Sequence, residues 1–225
     1  MSDIAKLIIK GQEYEFPVVE GTENELAIDI KSLRALTGGI ITLDSGFKNT
    51  GSCESKITFL DGEKGILRHR GYAIEELTKK ASFLEVAYLI IFGELPTREQ
   101  FAQWEKDIKY HSLLNEEMKD IIDGFPKKAH PMGMLSSLTS ALTAFNPATV
   151  DITKEEQVYG AITKLMGKFP VIAAWAHSKN LGTPLNYADN SLNYIENIMQ
   201  MMFRIPTDKY IMNPIAVRAL DELLI

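Results

Sequence analysis

GSCESKITFLDGEKGILRHRGYAIEELTKKASFLEVAYLIIFGELPT, Gly51 to Thr97, is where an extended beginning gives way to a helical remainder. Ile57 and Phe59 alternate with Lys56 and Thr58; Asp61, Gly62 and Gly65 interrupt the run, and Ile66 and Leu67 resume it. Alternation at period two around a glycine-containing break predicts a β-hairpin over 56–70. Then the period changes. Tyr72, Ile74 and Leu77 open an amphipathic segment. Ser82 and Glu85 stand at capping-box spacing ahead of Phe83, Val86, Ala87, Leu89 and Ile90, which recur at helical intervals. Gly93 predicts the end of that helix, because the left-handed terminal conformation costs least without a Cβ.

On the amino-terminal side, Lys6 to Ile9 and Tyr14 to Val18 read as strands around a Lys10-Gly11-Gln12 turn, and Leu26, Ile28 and Ile30 alternate like a third. Glycines 38, 39, 46 and 51 mark loops. With the hairpin, these elements predict a small β-rich domain over 1–70 and a helical domain over 71–225. In the latter, Thr97 and Gln100 form a second capping-box pattern, with Phe101, Trp104, Ile108 and His111 along one face. Asn115 is expected to cap a short helix whose inner face is Met118, Ile121, Ile122 and Phe125. Pro131 suits the first turn of a helix with an apolar stripe of Met134, Leu135, Leu138, Ala141, Leu142 and Phe145. Thr153 with Glu156 predicts a helix to about Gly167, and Pro170 predicts the start of another that stops near Gly182. Ser191 is expected to open a helix with Leu192, Ile195, Ile198, Met199 and Met202 inward, and Asn213-Pro214 a last one. That last helix reaches Leu223-Leu224-Ile225 with no glycine or polar cap, so the chain is expected to be cut within a longer protein.

Composition excludes several classes of function. With 45% hydrophobic and 24% charged residues over 225 positions, the chain can bury a core and is not disordered. No apolar run approaches the roughly 20 residues of a membrane-spanning helix, and MSDIAKLIIKG is not a secretory signal, so a cytoplasmic location without a membrane partner is expected. The net charge of -6 argues against a nucleic-acid partner. Cys53 is the only cysteine, which removes an intrachain disulfide and a cysteine zinc cluster. No histidine pair has a metal-ligand pattern, so no metal is expected.

The stretch SCESKITFLDGEKGILRHRGYAIEEL and its E-L-P-T turn resemble the amino-terminal part of bacterial citrate synthases. The resemblance continues through Ala129-His130-Pro131-Met132, Lys168-Phe169-Pro170, Leu192-Asn193-Tyr194, Met201-Met202-Phe203 and Tyr210-Ile211-Met212-Asn213-Pro214. It implies a mainly α, multi-helical large domain, truncated here, preceded by the small β-rich domain. It also implies a parent acyltransferase of the tricarboxylic acid cycle that condenses acetyl-CoA with oxaloacetate, working as a dimer or hexamer. Helices 131–145 and 170–180 correspond to those with which family members build the dimer. The chemistry needs a carboxylate to deprotonate the thioester methyl, donors to hold the enolate and polarise the ketone, and arginines to fork the dicarboxylate. No residue here matches a catalytic motif of the family, whose first histidine motif would begin just past Ile225. No catalytic residue is therefore assigned, and the chain is expected to be inactive by itself. A 2-methylcitrate synthase, using propionyl-CoA, and a non-catalytic helical interaction module on the same scaffold are the alternatives.

Of the four histidines, His69 reads as a surface or interface residue, His130 as a helix cap or packing residue and His177 as a partner of helix-terminal carbonyls. His111 is different by resemblance. Family members that NADH inhibits carry an allosteric nucleotide site whose Arg-His-Thr-Met segment matches Tyr110-His111-Ser112-Leu113 and whose basic pair matches Lys164 and Lys168. Asn146 stands in place of its tyrosine and Thr207 in place of its cysteine. His111, Ser112, Lys164 and Lys168 are thus the candidate nucleotide-binding residues, two cations at i and i+4 being able to hold phosphates. The other reading of the two lysines is a solvated helix face. No cofactor is otherwise expected.

Overall fold

The computed structural model describes residues 3–147 and 151–225 and divides the chain into two compact units, residues 1–56 and 57–225. The first unit is built on β1 (Ile4–Ile9), β2 (Gln12–Glu20) and β3 (Leu26–Ile28), antiparallel in the order β1-β2-β3, followed by the single-turn α1 (Leu33–Leu36). Lys10 and Gly11 both take positive φ, 51° and 82°. Ile9 faces Gln12 across them, a two-residue turn whose twist suits a hairpin.

The second unit opens with β4 (Thr58–Asp61), β5 (Ile66–His69) and β6 (Tyr72–Ala73), in that order in one antiparallel sheet. Tyr72 thus lies in a strand and not at a helix start. Arg70 and Gly71, at φ 50° and 88°, make a second tight turn of the same kind. This hairpin, grouped with the β-rich first 70 residues in the sequence reading, lies in the helical unit. β6 runs straight into α2 (Ile74–Lys80), and Arg70 Nη2 donates to Ile90 O at 2.8 Å.

Helices fill the rest: α3 (Phe83–Phe92), α4 (Arg98–Tyr110), α5 (Met118–Asp123), α6 (Pro131–Phe145), α7 (Glu155–Leu181), α8 (Tyr194–Phe203) and α9 (Pro214–Leu224). Both capping boxes form, Ser82 with Glu85 and Thr97 with Gln100, and Gly93 closes α3 at φ 98°. Four local expectations are corrected. Asn115 gives α5 no side-chain cap, since that helix begins at Met118 after Glu117. Ser191 bonds Asp189 instead of starting α8, whose capping box is Asn193 with Glu196. Residues 155–181 form one helix through Pro170, not two, and Thr153 bonds Asp151 instead of capping it.

The uninterrupted α7 has a physical account. Proline lacks the N–H that would bond the carbonyl four residues earlier, Met166 O. The Tyr194 hydroxyl from the first turn of α8 donates to that oxygen at 3.0 Å. The proline itself sits on the buried face with Val171, Ile172, Ala174 and Trp175, where α5, α6 and α8 add Met118, Ile122, Met134, Leu138 and Met201 to form the main core. Burial of that face outweighs one missing hydrogen bond. Among the described residues no helix is long and apolar enough to cross a membrane.

Candidate functional site

The four candidate residues come from two elements that cross at close range. A Cβ built on Gly167 of α7 would stand 2.5 Å from Ile108 O and 2.9 Å from His111 C. Only a residue without one lets the middle of α7 lie against the end of α4. His111 is the C-terminal cap of α4, its N–H donating to Ile108 O, and the Ser112 hydroxyl donates to Lys109 O at 2.7 Å. Leu114 anchors the following segment in the core.

One turn of α7 then places Lys164 and Lys168 against this corner. Lys168 is only 7% exposed, and its Nζ donates to Leu113 O, so it is not part of a solvated helix face. Burial first, and Lys164 second, hold its pKa below the ordinary 10.5. His111 is pushed below 6.5 by burial, then by Lys164 and Lys168, against the opposing pull of Asp107. The structure therefore gathers His111, Ser112, Lys164 and Lys168 into one electropositive corner. It commits Lys168 to a backbone carbonyl and leaves Lys164 as the more available cation. Such a corner can attract an anion through Lys164, while a two-lysine clamp needs Lys168 to leave Leu113. Asn146 caps α6, its Nδ2 donating to Leu142 O, and Thr207 lies exposed between α8 and α9.

The other histidines are placed by packing and hydrogen bonding. His69 Nδ1 lies 3.1 Å from Thr58 Oγ1 across the β4–β5 pair. His130 caps α6, Nδ1 accepting from Met132 N at 3.2 Å, as the sequence suggested. His177, expected near helix-terminal carbonyls, meets the Phe203 ring edge-on at 5.9 Å. Among the described residues there is no group of three or more His, Cys, Asp or Glu side chains that could hold a metal.

Two grooves escaped the sequence reading. One, of about 640 Å3, runs between α3, α4, α8 and α9, past Phe101, Tyr194, Val217 and Asp221. Asp221 accepts from Phe83 N at 2.9 Å, tying α9 to the start of α3 across 138 positions of sequence. Burial, with Glu85 and Glu222 nearby, raises its pKa above 3.8. The other groove borders the loop before α8. The first has no local sequence signal, because it is assembled from segments far apart in the chain.

Comparisons with known proteins agree on the family. The profile described as citrate synthase, C-terminal domain, matches residues 46–225. Citrate synthase 1 of Mycobacterium tuberculosis is 44% identical over 223 residues, which are 99% of this chain and 52% of that protein. The citrate synthase of Corynebacterium glutamicum is 43% identical over 221 residues, 98% of this chain and 50% of its own length. Among solved structures, a citrate synthase from Pyrobaculum aerophilum superposes with a TM-score of 0.70 at 27% identity, covering 92% of this chain and 48% of that one. The chain thus spans about half the length of the curated relatives it matches.

Proposed function

The chain belongs to the citrate synthase family, and on that premise we propose that it is the amino-terminal half of a citrate synthase. The parent condenses acetyl-CoA with oxaloacetate and, with water, releases citrate and CoA in the cytoplasm. The observation that carries the reading is similarity along 99% of the chain to relatives about twice as long.

In this reading the 225 residues supply scaffold, and the reacting groups come from the parent's other half. It is supported by the histidines, of which His69, His130 and His177 are engaged in a cross-strand contact, a helix cap and a ring contact. The small β-rich domain and the faces of α6 and α7 serve a dimer or hexamer of the parent. NADH at His111, Ser112, Lys164 and Lys168 is the regulatory part of the proposal, with Lys164 supplying the available charge.

The test has two arms. CoA release from acetyl-CoA and oxaloacetate is expected to be absent with the purified 225-residue chain; turnover by it would end the scaffold reading. An antibody raised against it is expected to detect a protein much larger than 25.2 kDa in the source cells. A band at that mass would favour a non-catalytic interaction module. In the larger protein, propionyl-CoA outcompeting acetyl-CoA would move the assignment to 2-methylcitrate synthase. NADH is expected to inhibit it weakly, less so after Lys164→Ala, and an unchanged rate with saturating NADH would remove the allosteric part.

A further inference from the structure

The sheet of the first unit has an open edge. β1 stands at the margin of the order β1-β2-β3, so one side of it bonds β2 and the other meets no strand among the described residues. The register says which residues face outward. Ile9 and Gln12 flank the two-residue turn as a hydrogen-bonded pair, which makes Leu7–Tyr14 and Ala5–Phe16 hydrogen-bonded pairs as well. Val18 N donates to Asp3 O at 2.9 Å in the same phase. Opposite Ile4, Pro17 turns instead to the β3 side, its carbonyl accepting from Asp29 N at 2.9 Å. Ile4, Lys6 and Ile8 therefore present their N–H and C=O groups to the open side.

An edge of this kind is a template for another strand, and proteins commonly guard it with a charged side chain. Lys6 is the only charge on β1, and it is drawn back over β2, where its Nζ is bound by Glu13 and Glu15. On the same face as Lys6, Ile4 and Ile8 are 57% and 67% exposed. The order Ile4-Ala5-Lys6-Leu7-Ile8 is also symmetric about its centre. Laid antiparallel on itself around Lys6, it sets Ile4 against Ile8 of the second copy and the small Ala5 against the larger Leu7. The outward groups of Ile4, Lys6 and Ile8 then meet those of Ile8, Lys6 and Ile4, and every one is matched. A slip by two residues leaves one isoleucine of each strand without a partner and sets Lys6 beside an isoleucine.

From this phase and this symmetry, we propose that β1 pairs antiparallel with β1 of a second copy of this chain, centred on Lys6, and joins the two sheets into one. The two lysines come opposite each other across the axis. Like charges so placed would repel, but each ammonium is already held by two carboxylates of its own β2. The pairing names the strand and the register behind the assembly role proposed above for the β-rich domain. Because it rests on β1 alone, it can fail without touching the citrate synthase reading.

Hydrogen exchange of single amides, followed in 1H–15N spectra of the 225-residue chain, separates this contact from any made by the helices. The Ala5 and Leu7 amides, bonded to β2, should be protected at every protein concentration. Those of Ile4, Lys6 and Ile8 should exchange freely in dilute solution and slow by about tenfold or more as concentration rises and sedimentation shows a dimer. An edge strand tolerates Lys6→Pro, since the lost N–H faces outward. In that variant the Ile4 and Ile8 amides should stay unprotected in concentrated solution while Ala5 and Leu7 keep their protection. Should Lys6→Pro lose the hairpin, the double variant Ile4→Lys, Ile8→Lys, which sets lysines against each other across the axis, carries the same expectation for the amides at positions 4, 6 and 8. Free exchange at those positions in a sedimenting dimer would place the contact on other surfaces and overturn the proposal. So would protection independent of concentration, protection that survives the variants, or a chain that stays monomeric at the highest concentration.

Discussion

Gly167 and Lys168 are neighbours in sequence with opposite tasks, and both belong to the corner where α7 meets α4. The glycine sets how closely the helices approach. Gly167→Ala would put a methyl group against backbone atoms of Ile108 and His111, which cannot rotate away. Overpacking of this kind costs about 1–3 kcal/mol. Urea unfolding of the variant is expected to show a midpoint lowered accordingly with an unchanged slope. His111 gives the corner a pH dependence. Its folded pKa lies below the ordinary 6.5, so the folded state binds this proton less tightly than the unfolded one. Its contribution is fully present above 6.5 and is lost as pH falls through the lowered folded value. Replacing it by Asn should flatten the stability profile in that window, and Lys168→Met, by removing one of the repelling cations, should reduce the slope as well. Stability curves of the two variants that parallel the parent chain between pH 7 and 5 would contradict this account.

At the scale of elements, α7 and α8 pack together in the core and also share a hydrogen bond at Met166 O. Pro170 leaves Met166 O without its helical donor, and Tyr194, half-buried at the start of α8, supplies the missing hydrogen. Tyr194→Phe should therefore cost roughly 1–3 kcal/mol, the penalty of an unmatched buried acceptor. Pro170→Ala restores a backbone donor to the same oxygen. In that background the Tyr194→Phe cost should shrink by more than half, a non-additivity that a double-mutant cycle by chemical denaturation would read directly. Equal costs in both backgrounds would mean that the phenol acts through packing alone.

At the scale of the molecule, the two units differ in how much they bury. Among the described residues of 3–56, Phe16 and Leu33 are the buried apolar side chains, whereas the helical unit holds a continuous core over α5, α6, α7 and α8. Residues 51–58 between the units are exposed throughout, as are Lys48 and Lys56. Brief trypsin treatment is expected to cut first after these lysines, leaving a stable product that begins near Ile57 and keeps the helical circular-dichroism signal. Loss of the helical signal in step with the first cut would show instead that the helical unit needs residues before 57.

Short-range chemistry was legible from the residues themselves. The Ser82–Glu85 and Thr97–Gln100 boxes, the Gly93 terminus, the Asn213 cap and the Lys10-Gly11 turn each depend on groups within a few positions, and all five stand where the sequence puts them. The family is legible in the same way, from motifs that run the length of the chain. What the sequence misplaced was set by partners far along it. Pro170 reads locally as a helix start, but Tyr194 and a buried face carry the helix through it. Lys168 reads as solvated, until Gly167 brings α4 close enough for Leu113 O to capture it. The bond from Phe83 to Asp221, 138 positions away, has no local signature at all. Hydrogen-bonding range and φ preference are properties of a few consecutive residues, so sequence determined the elements; which polar atom each element leaves unmatched, and what fills it, depends on crossings that only the tertiary structure decided.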